Sequence, residues 1–70
     1  MTPVLYGLVD QTITINEDGS RTCKVEYFRG FDVSTSQYIT QAEVDVSNLQ
    51  AHAKHMANVQ GLTKVMLMTI

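Results

Sequence analysis

The sequence predicts a small α+β fold: an antiparallel β-sheet of roughly three to five strands, beginning as an N-terminal meander, with one helix packed on one face. Three observations carry that expectation. From Val4 to about Val46 apolar residues recur mostly with period two, the spacing of half-buried strands. From Ser47 to Gln60 the period changes to that of an amphipathic helix, which Gly61 is placed to end. The tail from Leu62 to Ile70 contains Val65-Met-Leu-Met68 with no polar alternation, as in a strand covered on both faces.

The first strand is expected to be bent, bulged or split in two. Val4/Tyr6/Leu8 and Ile13/Ile15 alternate, but Gly7 and Asp10-Gln11 interrupt them. Asp18-Gly19 lies between two alternating runs, a strong hairpin signal, with Gly19 as the residue of positive φ. On the returning strand, Arg21 to Arg29, the set Cys23, Val25 and Tyr27 faces the core together with Ile13 and Ile15. Lys24, Glu26 and Phe28 take the other side. Past Gly30, the segment Phe31-Asp-Val33 is expected to extend the strand beyond a bulge before Ser34-Thr-Ser36 turns.

Between Gln37 and Val46 two periods compete. Tyr38, Ala42, Val44 and Val46 alternate as a strand would, while Ala42, Val46, Leu49, Ala53 and Met56 fit a helix face. Val44-Asp-Val46 favours β structure and Ser47-Asn48 favours a helix cap, so the strand is placed up to about Val46 and the helix from Ser47. A single helix of about 20 residues from Thr40 is the alternative. The buried stripe is Leu49, Ala53, Met56 and Ala57, with His52 and Val59 at its margins. The last strand is expected to be central, or else an edge that completes a dimer.

With 70 residues the chain makes one domain, residues 1–70, and looks like a complete small gene product. A chain of this size buries only about 60% of its unfolded surface. Cys23 is its one cysteine, so disulfides cannot compensate, and association with itself or a partner is expected. A lone thiol suits the reducing cytoplasm. The net charge of −2 gives no basic patch for nucleic acid, and no apolar run is long enough to span a membrane.

No constellation of residues points to catalysis, a metal or a cofactor. His52 and His55, three apart on the helix, share a side but lack a further ligand; a surface pair is the simpler reading. Cys23 alternates inward and reads as a small buried residue. Solvation suffices for Asp10, Glu17, Asp18, Glu26, Asp32, Glu43 and Asp45. The stretch Glu26-Tyr-Phe-Arg-Gly-Phe-Asp32 is richest in side chains enriched at binding hot spots. The expected function is therefore a non-enzymatic interaction module, an inhibitor or adaptor that binds a larger protein. Phage-encoded inhibitors of host or defence complexes share this general layout. Its candidate contacts are Glu26, Phe28, Arg29, Phe31 and Glu43. The alternative is a homo-oligomeric structural or regulatory subunit joined through its last strand, with Val65, Met66 and Met68 at the dimer contact.

Overall fold

The computed structural model describes residues 2–69. Strands β1 (Val4–Ile15), β2 (Arg21–Gly30) and β3 (Gln37–Asp45) are followed by a 3-10 turn (Val46–Asn48), helix α1 (Leu49–Val59) and strand β4 (Val65–Thr69). The sheet has four strands in the order β3-β2-β1-β4. β1 and β2 pair antiparallel, as do β2 and β3, whereas β4 lies parallel to β1. The α+β class, the hairpin and the single helix on the sheet are as expected; the parallel fourth strand makes the sheet mixed.

One face of the sheet carries the core. Leu5, Cys23, Val25, Tyr27 and Val44 meet Ala53 and Ala57 of α1 and Leu62 beyond it. Leu49, Met56, Val65 and Leu67 pack around this cluster half-buried. Gly7 belongs to the same face. A Cβ there would come within 2.6 Å of the Leu67 side chain, so a glycine lets β4 pack closely across β1. The small Ala53 and Ala57 play the matching part on the helix, allowing it to approach the sheet at their positions.

The elements end where the sequence supplies the stops. Gly19 turns the β1–β2 hairpin with φ 85°. Gly61, at φ 71°, gives the left-handed residue after α1, and two backbone bonds close the end: Gly61 N–H to the Asn58 carbonyl at 3.0 Å and Leu62 N–H to the Ala57 carbonyl at 2.8 Å. This paired closure satisfies carbonyls that the helix would otherwise leave open. At the other end Asp45 accepts from the Ser47 N–H at 2.9 Å and the Ser47 hydroxyl at 2.6 Å. The cap therefore comes from Asp45, at the 3-10 turn, and not from Ser47. Asn48 precedes α1 without a side-chain cap.

Several expectations about the strands are corrected. Ile13 and Ile15 are 48% and 71% exposed rather than core residues. The register between β1 and β2 shifts between Val9 and Ile13, and the hairpin then runs on beyond the cluster. A strand of 12 residues is about 40 Å long and a helix of 11 residues about 16 Å, so α1 can roof less than half of β1. The overall extents of 43 × 21 × 15 Å reflect that projecting arm.

Phe31-Asp-Val33 does not extend β2. Residues 31–36 form a loop in which Asp32 accepts from the Ser34 N–H at 3.0 Å and its hydroxyl at 3.1 Å. β4 lies at the edge of the sheet and not at its centre. The central strand with apolar side chains on both faces is instead β1, over Val4 to Val9. Tyr38, expected with the core set of β3, is turned away from it by a second register shift. Tyr27 pairs with Thr40 but Phe28 with Tyr38, which leaves Ile39 as an extra residue and reverses the faces beyond it.

Candidate protein-binding face

The face of the sheet opposite α1 is built by the alternation that fills the core. Because Leu5, Val25 and Tyr27 point to the helix, Tyr6, Leu8, Glu26 and Phe28 point away from it. The strand register arranges these residues in rows. Tyr38 is opposite Phe28, Phe28 opposite Tyr6, and Tyr6 opposite Met66, so one row of large apolar side chains crosses all four strands. The next row reads Gln41, Glu26, Leu8 and Met68. Farther along, Lys24 lies opposite Glu43. Polarity thus rises toward the hairpin.

The first row is locked in part. Phe28 and Tyr38 meet edge to face, with centroids 5.7 Å apart and planes at 77°, a favourable aromatic arrangement. Tyr6 is only 7% exposed, and its hydroxyl donates to the Phe31 carbonyl at 3.3 Å, which ties the 31–36 loop to the face. The ends of the row stay open: Tyr38 and Met66 are each 50% exposed. Two large apolar side chains thus remain half exposed at the two edges of the sheet.

The sequence-derived contact residues divide between the two sides. Glu26, Phe28 and Glu43 share the uncovered face; Glu43 accepts from the Thr22 hydroxyl at 2.8 Å. Arg29 does not join them. It alternates to the helix side, where its guanidinium donates to the Gln60 carbonyl at 3.3 Å just past α1. Phe31, 58% exposed, stands in the loop at the end of the face. Of the strand residues assigned to a dimer contact, Met66 and Met68 fall on the uncovered face and Val65 packs toward the core. Tyr6, Leu8 and Tyr38 were not among the expected contacts. The alternation Val4/Tyr6/Leu8 was the available signal for the first two, while the bulge at Ile39 hid the third.

The titratable groups elsewhere have structural engagements. Burial pushes the Cys23 thiol upward, as fits a small residue of the core. Burial also raises the Tyr27 phenol, and its hydroxyl shares a hydrogen bond of 2.5 Å with Nδ1 of His52. His52 therefore links helix to sheet, a role beyond that of a marginal residue. His55 is exposed on the same helix. Among the described residues no group of three His, Cys, Asp or Glu side chains could hold a metal ion. Asp18, Asp32 and Asp45 are held below the ordinary carboxylate range by bonds from Ser20, Ser34 and Ser47. Each pair closes a tight turn and belongs to the scaffold.

No family model, no curated protein and no solved structure matches the chain.

Proposed function

We propose that the chain is a non-enzymatic protein-interaction module, a small cytoplasmic inhibitor or adaptor that docks a larger protein against the face opposite α1. One observation carries this reading: the row Tyr38–Phe28–Tyr6–Met66 crosses the whole sheet on the side the helix leaves uncovered. Aromatic and methionine side chains are the ones enriched at interface centres, and Glu26, Lys24 and Glu43 supply a charged margin to one side. Fully covering one large apolar side chain contributes roughly 1.5–3 kcal/mol. Tyr38 and Met66, already half covered, would each gain about half of that on docking. The buried thiol and the engaged His52 favour a binding role over nucleophilic catalysis.

The test begins with affinity capture from the native host and continues with the purified captured protein. Phe28→Ala and Tyr38→Ala each weaken its binding by about tenfold, as truncating an interface anchor does, while thermal melting confirms the fold. Arg29→Ala, altered on the opposite side, retains full affinity. Undiminished binding by both aromatic variants refutes the assignment.

A further inference from the structure

The two edges of the sheet differ in a way that bears on binding. Exposed edge strands invite pairing, and natural proteins blunt them with charges, prolines and bulges. β3 is blunted: it carries the extra residue Ile39, together with Glu43 and Asp45. β4, Val65-Met-Leu-Met-Thr69, has no charge, no proline and no bulge, and among the described strands it pairs with β1 alone. The Leu5 N–H donates to the Lys64 carbonyl at 3.0 Å, so residues 64, 66 and 68 direct their backbone groups to β1. By alternation Val65, Leu67 and Thr69 direct theirs outward.

A groove of about 380 Å³ runs beside that edge, between α1 and β4, lined by Gln50, Ala53, Lys54, Thr63, Val65 and Leu67. A second hollow of about 310 Å³ continues it and shares Lys54, Thr63 and Val65. Neither is lined by a carboxylate. The charge of the whole chain is divided in the same sense. All seven carboxylates precede Val46, along with three of the five cations, whereas Lys54 and Lys64 are the only charged side chains after it. A net −4 therefore falls on residues 1–45 and a net +2 on the helix and last strand.

We infer that the β4 edge is a second binding site, meeting the aromatic face only along Met66 and Met68, and that it takes an extended acidic segment of a partner protein as an added strand. The outward amides and carbonyls of Val65, Leu67 and Thr69 supply the main-chain bonds. Side chains of the added strand alternate between two environments. Those on the groove side meet Lys54 and Gln50, which select carboxylates, and those on the other side lie beside Met66 and Met68, which select apolar residues. A second copy of this chain fits less well: pairing β4 with β4 would bring Lys54 and Lys64 of both copies to one edge with no carboxylate from either helix or last strand.

Two blocked peptides of about seven residues test this, one alternating valine with glutamate and one alternating valine with lysine. Titrated into the intact isotope-labelled chain, the glutamate peptide shifts amide resonances along Val65 to Thr69 and Gln50 to Lys54, and the lysine peptide binds at least about fivefold more weakly. Lys54→Glu, on an exposed helix position, leaves melting unchanged and reverses that preference. Thr69→Pro removes one outward N–H and weakens both peptides alike. Equal affinity for the two peptides overturns the inference, as do shifts confined to β3 or to the aromatic face, or self-association of the chain through β4.

Discussion

The bond between Tyr27 and His52 allows the attachment of α1 to the sheet to be measured directly. The Tyr27 side chain is fully buried, and its hydroxyl and Nδ1 of His52 are 2.5 Å apart. The two partners differ in their access to water, so their removal has unequal costs. Tyr27→Phe deletes the hydroxyl and leaves a half-buried histidine that water can still reach; its cost is about 1 kcal/mol, the net worth of a typical hydrogen bond. His52→Leu preserves bulk but deletes the ring nitrogen, stranding a hydroxyl inside the core, which costs about 2 kcal/mol. No buried side-chain nitrogen or oxygen among the described residues lacks a partner in the parent, so this stranding is a new defect. In a domain of this size each kcal/mol lowers Tm by about 4–8 °C. A double-mutant cycle followed by thermal denaturation at neutral pH should show His52→Leu as the costlier single change. In the Y27F background the same histidine change should cost close to nothing. Additive effects, or a costlier Tyr27→Phe, would refute the assignment of a coupled hydrogen-bonded pair.

Three further outcomes are expected. Gly61→Ala should destabilise by about 1 kcal/mol in urea denaturation, purely through the left-handed backbone, because nothing lies within 4 Å of the added Cβ. Ile15→Ser should change stability by no more than about 0.5 kcal/mol despite its β-branched apolar side chain, and a loss of several times that would place Ile15 in a core after all. Asp45→Asn should flatten the acid limb of the stability profile. The Asp45 carboxyl lies below its ordinary value of 3.8 because Ser47 donates to it, so its contribution is present above that value and is lost as pH falls through the folded one. A melting profile between pH 5 and pH 2 that is identical in parent and variant would contradict this.

The sequence made the local signals readable and concealed the register. Asp18-Gly19 and Gly61 marked real stops because positive φ is a local requirement that few residues meet. Cys23, Val25 and Tyr27 were legible as one inward set since the run between Thr22 and Phe28 is unbroken. Where a strand takes up extra residues, period two no longer predicts the face. That is why the alternation points Tyr38 to the core although it belongs to the candidate binding row; Ile13 keeps the face of its partner Cys23, and it is exposed because the helix does not reach that far along the hairpin. The placement of β4 was hidden for another reason. Apolar character on both sides of Val65 to Met68 suits either a central strand or an edge with a soft outer face, and only the strand order, in which β4 ends the sheet in parallel pairing with β1, decides between them.

That parallel pairing also orders events in time. Leu5 and Val65, opposite each other in the sheet, are 60 positions apart in the chain, whereas the β1–β2 hairpin closes across a few residues. The longer closure costs about 2 kcal/mol more entropy, so both hairpins can form before the first and last strands meet. A short strand at the sheet margin, held by one neighbour and a thin roof of alanines, is also the part whose amides should exchange soonest with solvent. β4 is then expected to dock last and open first, and an acidic strand seated along its outer side would slow that opening.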